Sequence, residues 1–331
     1  MQDKLTAFEK YKQNKAFLLQ SNKPIRYIQL KKCIRPLLRA VLFVQRRING
    51  QSIEVIGQKI PKTKRPIVFV VTHIGKYDFE MVNEIIKEHF HVIASDFLNM
   101  YGNINGLFMK ANGVIFMDID SKEDRENSRR MMLKVLAQGD NMMIFPEGTW
   151  NLSENAIVND LHLGAIDISL EMSAVIVPIA IKQYGKRFVI NIGELFDPDM
   201  ICKSYAKTTY EKLGQDAEEC LLKRQIKLAA NQELRDGLAT LKFQIWEKEG
   251  VVRRDSIPYD YWKEFIRERC AEWPGYFMDE QIRNGCFPPA KREYNAMLKE
   301  MCRMKVSKKN CFLFQEVRRD ITYVSYRVEK I

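Results

Sequence analysis

The stretch IVFVVTHIGKYD, residues 67–78, decides the fold of this chain. Its first five residues are all β-formers, and an uninterrupted apolar run of this length predicts a fully buried strand. The apolar residues after it recur at helical spacing: Phe79, Val82, Ile85 and Ile86. His73 and Asp78 therefore fall in the turn where a strand passes into a helix.

The pair His73 and Asp78 has the residue types that acid–base chemistry on a hydroxyl group requires. A carboxylate that holds one ring nitrogen of histidine protonated stabilises the imidazolium and leaves the other nitrogen to accept a proton. Taken alone, the pair also fits an ordinary loop histidine followed by an aspartate that caps the next helix. The rest of the chain is needed to separate the two interpretations.

Strand and helix patterns alternate between residues 53 and 194, which predicts an α/β layered core. Ligands of such sheets bind beyond the carboxyl ends of the strands, where this pattern puts both His73 and Glu147. A long charged helix is predicted from Thr208 to Glu247. The predicted strands are 53–60, 67–72, 92–94, 114–118, 142–145, 175–182 and 188–192, and the predicted helices between them are 79–89, 96–109, 122–138 and 164–172.

Four short blocks follow one another within about 110 residues of the chain. They are His73-x4-Asp78, GVIFMD at 113–118, FPEGT at 145–149 and VIVPI at 175–179. In this order they resemble the blocks of the glycerolipid acyltransferase family, the group that contains 1-acylglycerol-3-phosphate acyltransferase. The resemblance covers roughly residues 50–200, and it implies a layered αβ core with a mixed sheet.

The resemblance also implies a role for each block. His73 and Asp78 match the catalytic pair, while Glu147, Gly148 and Thr149 match the block that binds the acceptor. A carboxylate and a hydroxyl can hold polyol hydroxyls, and a glycine lets the backbone come close. Pro178 matches the wall near the acyl donor. The alternatives are a turn residue at Glu147 and a core strand with an incidental proline at Pro178.

No nucleophilic serine or cysteine motif accompanies His73, so the chemistry predicted is direct transfer. His73 would take the proton of an acceptor alcohol while the alcohol oxygen attacks an acyl thioester, acyl-CoA or acyl carrier protein, and Asp78 would stabilise the imidazolium. The chain has no G-x-S-x-G, G-x-x-x-x-G-K or G-x-G-x-x-G motif and no zinc-like ligand spacing. No cofactor and no metal are therefore expected beyond the acyl-donor substrate.

The chain departs from the family pattern at three basic positions that the family associates with the acceptor phosphate. Ile119, Trp150 and His162 stand there instead. An indole at 150 suits a sugar ring or a bulky head group better than a phosphate monoester, so Trp150 is assigned to the acceptor side. Lys110 is assigned as a substitute for these basic residues and would bind the acceptor phosphate. Arg125, Arg129 and Arg130 are further candidates, and the alternative for all of these basic residues is a solvated helix face.

Charge is concentrated at the chain ends. The net charge is +11, and residues 1–50 hold 12 lysines and arginines against 2 acids. Their apolar runs are far shorter than the ~20 residues that span a bilayer. Residues 1–50 are therefore predicted to be amphipathic helices on an anionic membrane surface. The alternative is that they pack on the protein with their charges solvated. Residues 51–250 are the predicted acyltransferase domain, and residues 251–331 a C-terminal extension.

The leading hypothesis is a membrane-associated O-acyltransferase that esterifies a lysophospholipid or a related glycerolipid or glycolipid. Two alternatives remain: a hydrolase that uses water on the same histidine and aspartate, and an inactive basic binder of membrane or nucleic acid. The intact set of His73, Asp78, Glu147 and Thr149 disfavours the inactive binder, so no nucleic-acid partner is expected. Without a signal peptide or paired cysteines, the expected location is cytoplasmic, on the inner face of the cell membrane.

Overall fold

A computed structural model describes seven stretches of the chain: residues 25–74, 77–95, 104–118, 121–148, 158–184, 186–213 and 219–248. Several predictions concern residues outside these stretches and are not tested by the structure. They are the predictions for Ile119, Thr149, Trp150, residues 1–24 and the C-terminal extension.

The described residues form an alternation of helices and strands. The helices are α1 (Ile28–Ile48), α2 (Asp78–Ile85), α3 (Ile104–Asn112), α4 (Lys122–Ala137), α5 (Gly164–Glu171), α6 (Pro198–Leu213) and α7 (Glu219–Lys248). The strands are β1 (Ser52–Gly57), β2 (Ile67–Val71), β3 (Phe90–Ala94), β4 (Val114–Phe116), β5 (Asn141–Ile144), β6 (Val175–Tyr184) and β7 (Arg187–Ile192). The predicted start of the long helix at Thr208 is wrong, because α6 already begins at Pro198.

The strands form one seven-stranded sheet in the order β1-β7-β6-β2-β5-β3-β4. All neighbours run parallel except β6 and β7, which are antiparallel. The predicted α/β class with a mixed sheet is confirmed. β2 is the central strand, and each residue from Ile67 to Val71 is at most 4% exposed. A strand covered on both faces needs apolar side chains at every position, which this stretch supplies.

The chain divides into two compact units. Among the described residues, the first unit contains the whole sheet and α1 to α6, with α7 as far as Leu241. The second contains His73 and Ile74, Glu147 and Gly148, residues 158–160 and the end of α7 from Lys242. The boundaries predicted at residues 50 and 250 stay a prediction.

Helix α1 packs within the first unit with basic side chains turned inward. Arg35 is 2% exposed and donates to Asn83 Oδ1 at 2.8 Å, to Asn112 Oδ1 at 3.0 Å and to the Ile86 carbonyl at 2.8 Å. Arg46 is also buried, 2.7 Å from the carboxylate of Glu84. The expectation that a packed α1 would keep its charges in solvent is therefore wrong for these side chains.

The opposite side of α1 exposes a row of large apolar residues. Since successive helical residues advance by about 100°, these positions align along one face. We call this row the apolar stripe of α1: Leu30, Leu37, Val41, Val44 and Ile48, each at least 47% exposed. Within the described part of the chain, no helix is both long and apolar enough to cross a membrane.

Candidate active site

Thr72 fixes the point where the chain leaves the central strand. It is fully buried, its backbone N–H donates to the Ile179 carbonyl at 3.0 Å, and its Oγ1 accepts from the Ile181 N–H at 3.0 Å. Both partners lie on β6, which pairs in parallel with β2. The backbone is thus held up to the residue before His73.

Glu147 joins the first and third sequence blocks. Its Oε1 accepts from the backbone N–H of His73 at 3.0 Å, and its Oε2 accepts from the backbone N–H of Asn159 at 2.9 Å. Glu147 is 2% exposed, while His73 is half-buried. The carboxylate of Glu147 therefore holds the main chain of the residue predicted to be the base. The acceptor-binding role predicted for Glu147 stays a prediction.

Burial raises the pKa of Glu147, and the charge of Lys242 together with the two backbone donors opposes the rise. Lys242 is itself completely buried. Sequence reasoning missed this lysine, although a signal was present. Lys242 lies at helical spacing between Leu238 and Ile245, both fully buried, so it occupies the core-facing side of α7.

Asp78 is the first residue of α2 and is 1% exposed. His73 belongs to the second unit and Asp78 to the first. The structure thus places His73 just after β2 and Asp78 at the start of the next helix, as the sequence predicted. The catalytic roles of both residues stay a prediction.

The glycine of the second block is explained by packing. Gly113 has φ +112°, and a Cβ there would lie 2.7 Å from Cδ2 of the His91 ring. No other residue fits between α3 and β4 without displacing that ring. At the end of the block, the Asp118 N–H donates to Oδ2 of Asp124, a residue of α4, at 2.6 Å.

Pro178 is buried inside β6, in register with Val70 of β2. Its carbonyl accepts from the Gly193 N–H at 2.9 Å, and a Cβ on Gly193 would lie 2.9 Å from Pro178 Cγ. The packing seen here is structural. The predicted contribution of Pro178 to the acyl-donor wall stays a prediction.

Gly148 and Lys110 are the other predicted acceptor residues that the structure describes, and both are exposed. Gly148 is exposed with φ +70°, a left-handed conformation that favours glycine. Lys110 is exposed in the last turn of α3. Arg129 forms an ion pair with Glu171 on the surface. The structure therefore does not bring Arg129 to a buried site, and the assignment of Lys110 to the acceptor phosphate is not tested.

A second group of histidines and a carboxylate lies at the amino ends of β3 and β5. His89, His91 and Asp140 are buried, and Nδ1 of each ring lies 2.8 Å from Asp140 Oδ2. Nε2 of His89 lies 2.7 Å from the Asn112 carbonyl. Both ring nitrogens of His89 thus lie at hydrogen-bond distance from an oxygen acceptor. Nε2 of His91 faces the Lys31 ammonium at 3.4 Å and therefore accepts. We call these three residues the amino-end cluster.

The amino-end cluster has the residue types of a metal site and is the one group of three such buried side chains in the part of the chain that the structure describes. A cation held by both Nδ1 atoms would have to displace their hydrogen bonds with Asp140. It would also lie beside two ammonium groups, since Lys31 contacts His91 and Lys32 lies 3.6 Å from Asp140 Oδ1. These charges favour an ion-paired structural network over a bound metal.

Comparison with known proteins identifies the central segment. The family model described as Acyltransferase matches residues 52–182. Residues 52–182 are an acyltransferase-family domain. The assignment made from the four sequence blocks is confirmed, and all four blocks lie within the matched segment of the acyltransferase domain.

Two curated proteins match part of the chain. An uncharacterized acyltransferase of Schizosaccharomyces pombe is 28% identical over 43% of this chain. A 1-acyl-sn-glycerol-3-phosphate acyltransferase of Borreliella burgdorferi is 26% identical over 47% of it. The matched region spans 52% and 61% of these relatives' own lengths. Among solved structures, the 1-acyl-sn-glycerophosphate (LPA) acyltransferase PlsC of Thermotoga maritima is 14% identical, with a TM-score of 0.41 over 70% of this chain and 94% of that chain.

Proposed function

We propose that this protein is an O-acyltransferase that moves a fatty acyl group from a thioester donor to a hydroxyl of a lysophospholipid or a related glycerolipid or glycolipid. His73 removes the hydroxyl proton as the oxygen attacks the thioester carbonyl. The C–S bond then breaks, and the thiolate leaves with a proton returned by the imidazolium. Asp78 stabilises that imidazolium, and no covalent acyl-enzyme forms.

The hydrogen bond from the His73 N–H to Glu147 carries this proposal. It unites the first and third blocks of an acyltransferase-family domain, and it fixes the backbone of the histidine that must be in place for proton transfer. A general base acts only from a well-defined position, because misplacement of about 1 Å can cost around 10²-fold in rate. A carboxylate whose two oxygens both hold backbone N–H groups gives such a position.

The acceptor is proposed to carry a head group larger than a phosphate monoester. Three basic positions of the family pattern are occupied by Ile119, Trp150 and His162. The curated relative from Borreliella burgdorferi is named for 1-acyl-sn-glycerol-3-phosphate, and an enzyme for that acceptor needs charged groups on its phosphate. Their replacement here favours a lysophospholipid with a larger head group or a glycolipid.

We further propose that α1 brings the site to a membrane surface through its apolar stripe. The stripe runs from residue 30 to residue 48, about 27 Å of helix at 1.5 Å per residue. Its residues are exposed, whereas Lys31, Arg35 and Arg46 on the same helix are buried. Membrane binding by α1 therefore comes mainly from insertion of the apolar stripe into the lipid interface. Attraction between these buried lysine and arginine residues and anionic lipid contributes less.

Product analysis tests the proposed function. The purified protein is incubated with labelled acyl-CoA and with lysophosphatidate, lysophosphatidylcholine, lysophosphatidylglycerol or a glycolipid, and the products are identified by mass. We expect an ester of a large-head-group acceptor and no better yield with lysophosphatidate. Release of free fatty acid at a rate independent of added acceptor would instead identify a thioester hydrolase. No turnover of any thioester would contradict both enzymes.

A further inference from the structure

Thr72 continues the ladder between β2 and β6 with its side chain. Its backbone N–H donates to the Ile179 carbonyl at 3.0 Å, as in a regular parallel pair. In such a ladder the next bond on this side would run from the Ile181 N–H to the carbonyl of residue 72. The Ile181 N–H donates to Thr72 Oγ1 at 3.0 Å, so a hydroxyl oxygen takes the place of that carbonyl.

This bond shows that the chain turns at Thr72. Side chains of a regular strand stand roughly perpendicular to the sheet, whereas the N–H groups of the ladder lie in its plane. Thr72 Oγ1 reaches the Ile181 N–H because the backbone has left the course of β2, which ends at Val71. Thr72 and Ile181 are both 0% exposed, and a buried N–H group requires an acceptor. The hydroxyl supplies it.

The hydroxyl also affects the peptide group that follows. The carbonyl of Thr72 and the N–H of His73 belong to one planar group, so neither rotates without the other. Because Oγ1 accepts from the Ile181 N–H, the Thr72 carbonyl is not required at that position of the ladder. The peptide group is then able to keep the orientation in which the His73 N–H donates to Glu147 Oε1 at 3.0 Å.

We propose that Thr72 is a positioning residue of the active site: its hydroxyl ends the ladder between β2 and β6, and this sets the orientation of the peptide group that carries the His73 N–H. The effect on catalysis rests on the proposed function. The physical part concerns Thr72, Ile181 and the His73 amide, and it is measured without any substrate.

Selective labelling tests the physical part. The chain has 4 histidines, so ¹⁵N-histidine labelling gives four amide signals, and His73→Ala identifies the signal of His73. Thr72→Val keeps the shape of the side chain but lacks the hydroxyl, so the Ile181 N–H must turn to the carbonyl of residue 72. The His73 N–H turns with that carbonyl and loses its alignment with Glu147. We expect its amide proton signal to move upfield, while the other three histidine signals stay in place. Thr72→Ser keeps the hydroxyl and should keep the wild-type signal.

Kinetics test the catalytic part. We expect kcat per folded molecule to fall on the order of 10- to 100-fold in Thr72→Val, because a misplacement of about 1 Å has a cost of this size. KM should change little, because the hydroxyl is engaged with Ile181 rather than with a substrate. Thr72→Ser should restore kcat. The matched control is Val189→Ala, which opens a cavity at a fully buried position of β7 and should lower the urea midpoint without lowering kcat per folded molecule.

Three outcomes overturn the inference: a wild-type His73 amide signal in folded Thr72→Val, a loss of kcat in Thr72→Val that also occurs in Thr72→Ser, and an equal loss of kcat in Val189→Ala. If Thr72→Val does not fold, Thr72→Ala takes its place, because it also lacks the hydroxyl but leaves room for a water molecule at the Ile181 N–H. If wild type transfers no acyl group, the proposed function fails, while the His73 amide signal still decides the physical part of this inference.

Discussion

The two ends of strand β5 carry buried carboxylates in opposite electrostatic situations. Asp140 precedes the strand and is 0% exposed, while Glu147 follows it and is 2% exposed. Burial opposes ionisation of Asp140, but hydrogen bonds from His89 and His91 outweigh it and lower its pKa. At Glu147 burial prevails and the pKa is raised. Two buried carboxylates that flank β5 therefore differ in the direction of their pKa shift: the pKa of Asp140 is lowered and that of Glu147 is raised.

The comparison shows that residue types alone do not identify an active site. The amino-end cluster of His89, His91 and Asp140 has two histidines and a carboxylate, yet its nitrogens are engaged by buried partners. His73 is half-buried, and its backbone N–H is held by a hydrogen bond to Glu147. A general base needs a fixed backbone and access to its substrate, which only the second arrangement combines.

The largest effect should come from His73→Ala. Removal of the proposed general base is expected to lower the rate of acyl transfer about 10²–10⁴-fold with the fold intact, as measured by steady-state kinetics and circular dichroism. The matched variant on the other side of the comparison is His89→Gln. It should lower the melting temperature and leave the rate per folded molecule within a few-fold of wild type. Near-normal turnover by folded His73→Ala would remove the base from the mechanism.

Exchanging each aspartate for asparagine should separate catalysis from stability. Asp78→Asn is expected to lower kcat severely, by up to about 10⁴-fold, because the wrong tautomer of His73 is favoured. Asp140→Asn breaks a buried ion pair and should cost about 3–5 kcal/mol of unfolding free energy. Urea denaturation and kcat per folded molecule are the two measurements. A kcat per folded molecule that falls in Asp140→Asn would show that Asp140 also contributes to catalysis and would contradict the separation of the two aspartates.

Asp140 and Glu147, the carboxylates that flank β5, should make contributions to the unfolding free energy that change with pH in opposite directions. The lowered pKa of Asp140 stabilises the fold above the ordinary aspartate pKa of about 3.9, and this contribution is lost as the pH falls below it. The raised pKa of Glu147 acts the other way, and its contribution is lost as the pH rises above the ordinary glutamate value of about 4.3. Each unit of difference between folded and unfolded pKa is worth about 1.4 kcal/mol.

Urea denaturation of wild type against Asp140→Asn and Glu147→Gln measures these slopes. The advantage of wild type over Asp140→Asn should shrink as the pH falls from 5 toward 2.5. The difference between wild type and Glu147→Gln should move against wild type as the pH rises from 4 to 8. Slopes of the same sign would mean that the two carboxylates are not in different electrostatic states.

The smallest expected effect is on membrane binding by α1, whose Lys31 and Lys32 contact the amino-end cluster. Leu37→Asp removes one residue of the apolar stripe, and burying a leucine is worth about 1.5–3 kcal/mol. Binding to vesicles should weaken about ten- to a hundredfold. The residual binding through α1 should change little between low and high salt. Flotation with neutral and anionic vesicles is the measurement, and Arg47→Ala, at an exposed position of α1, is the matched control. Unchanged binding by Leu37→Asp would exclude the apolar stripe as a membrane contact.

The sequence predicted the fold well because its apolar runs match the sheet. Ile67–Val71 is a continuous apolar run, and it is the central buried strand. The acyltransferase assignment followed from blocks that lie close together in sequence. Sequence reasoning missed Lys242 because this residue lies 95 residues beyond Glu147 and outside every block, and its complete burial is seen only in the folded chain.

The orientation of α1 could not be predicted from its amphipathic pattern. Such a pattern shows that a helix has two different faces, and the default is that the apolar face turns inward. Here Arg35 finds acceptors on Asn83, Asn112 and the end of α2, which stabilise the buried charge. The inward turn of the basic face depends on these partners, which come from distant parts of the sequence.

Single-turnover acyl transfer tests the central claim most directly. Excess enzyme is mixed with labelled acyl-CoA and a lysophospholipid, and the protein and the lipid are both analysed by intact mass. The proposed direct transfer predicts that label passes into the lipid ester in wild type and in Asp140→Asn, never onto the protein, and that His73→Ala forms no ester on the same timescale. An acylated protein that precedes the ester, or ester formation by His73→Ala at the wild-type rate, would contradict it.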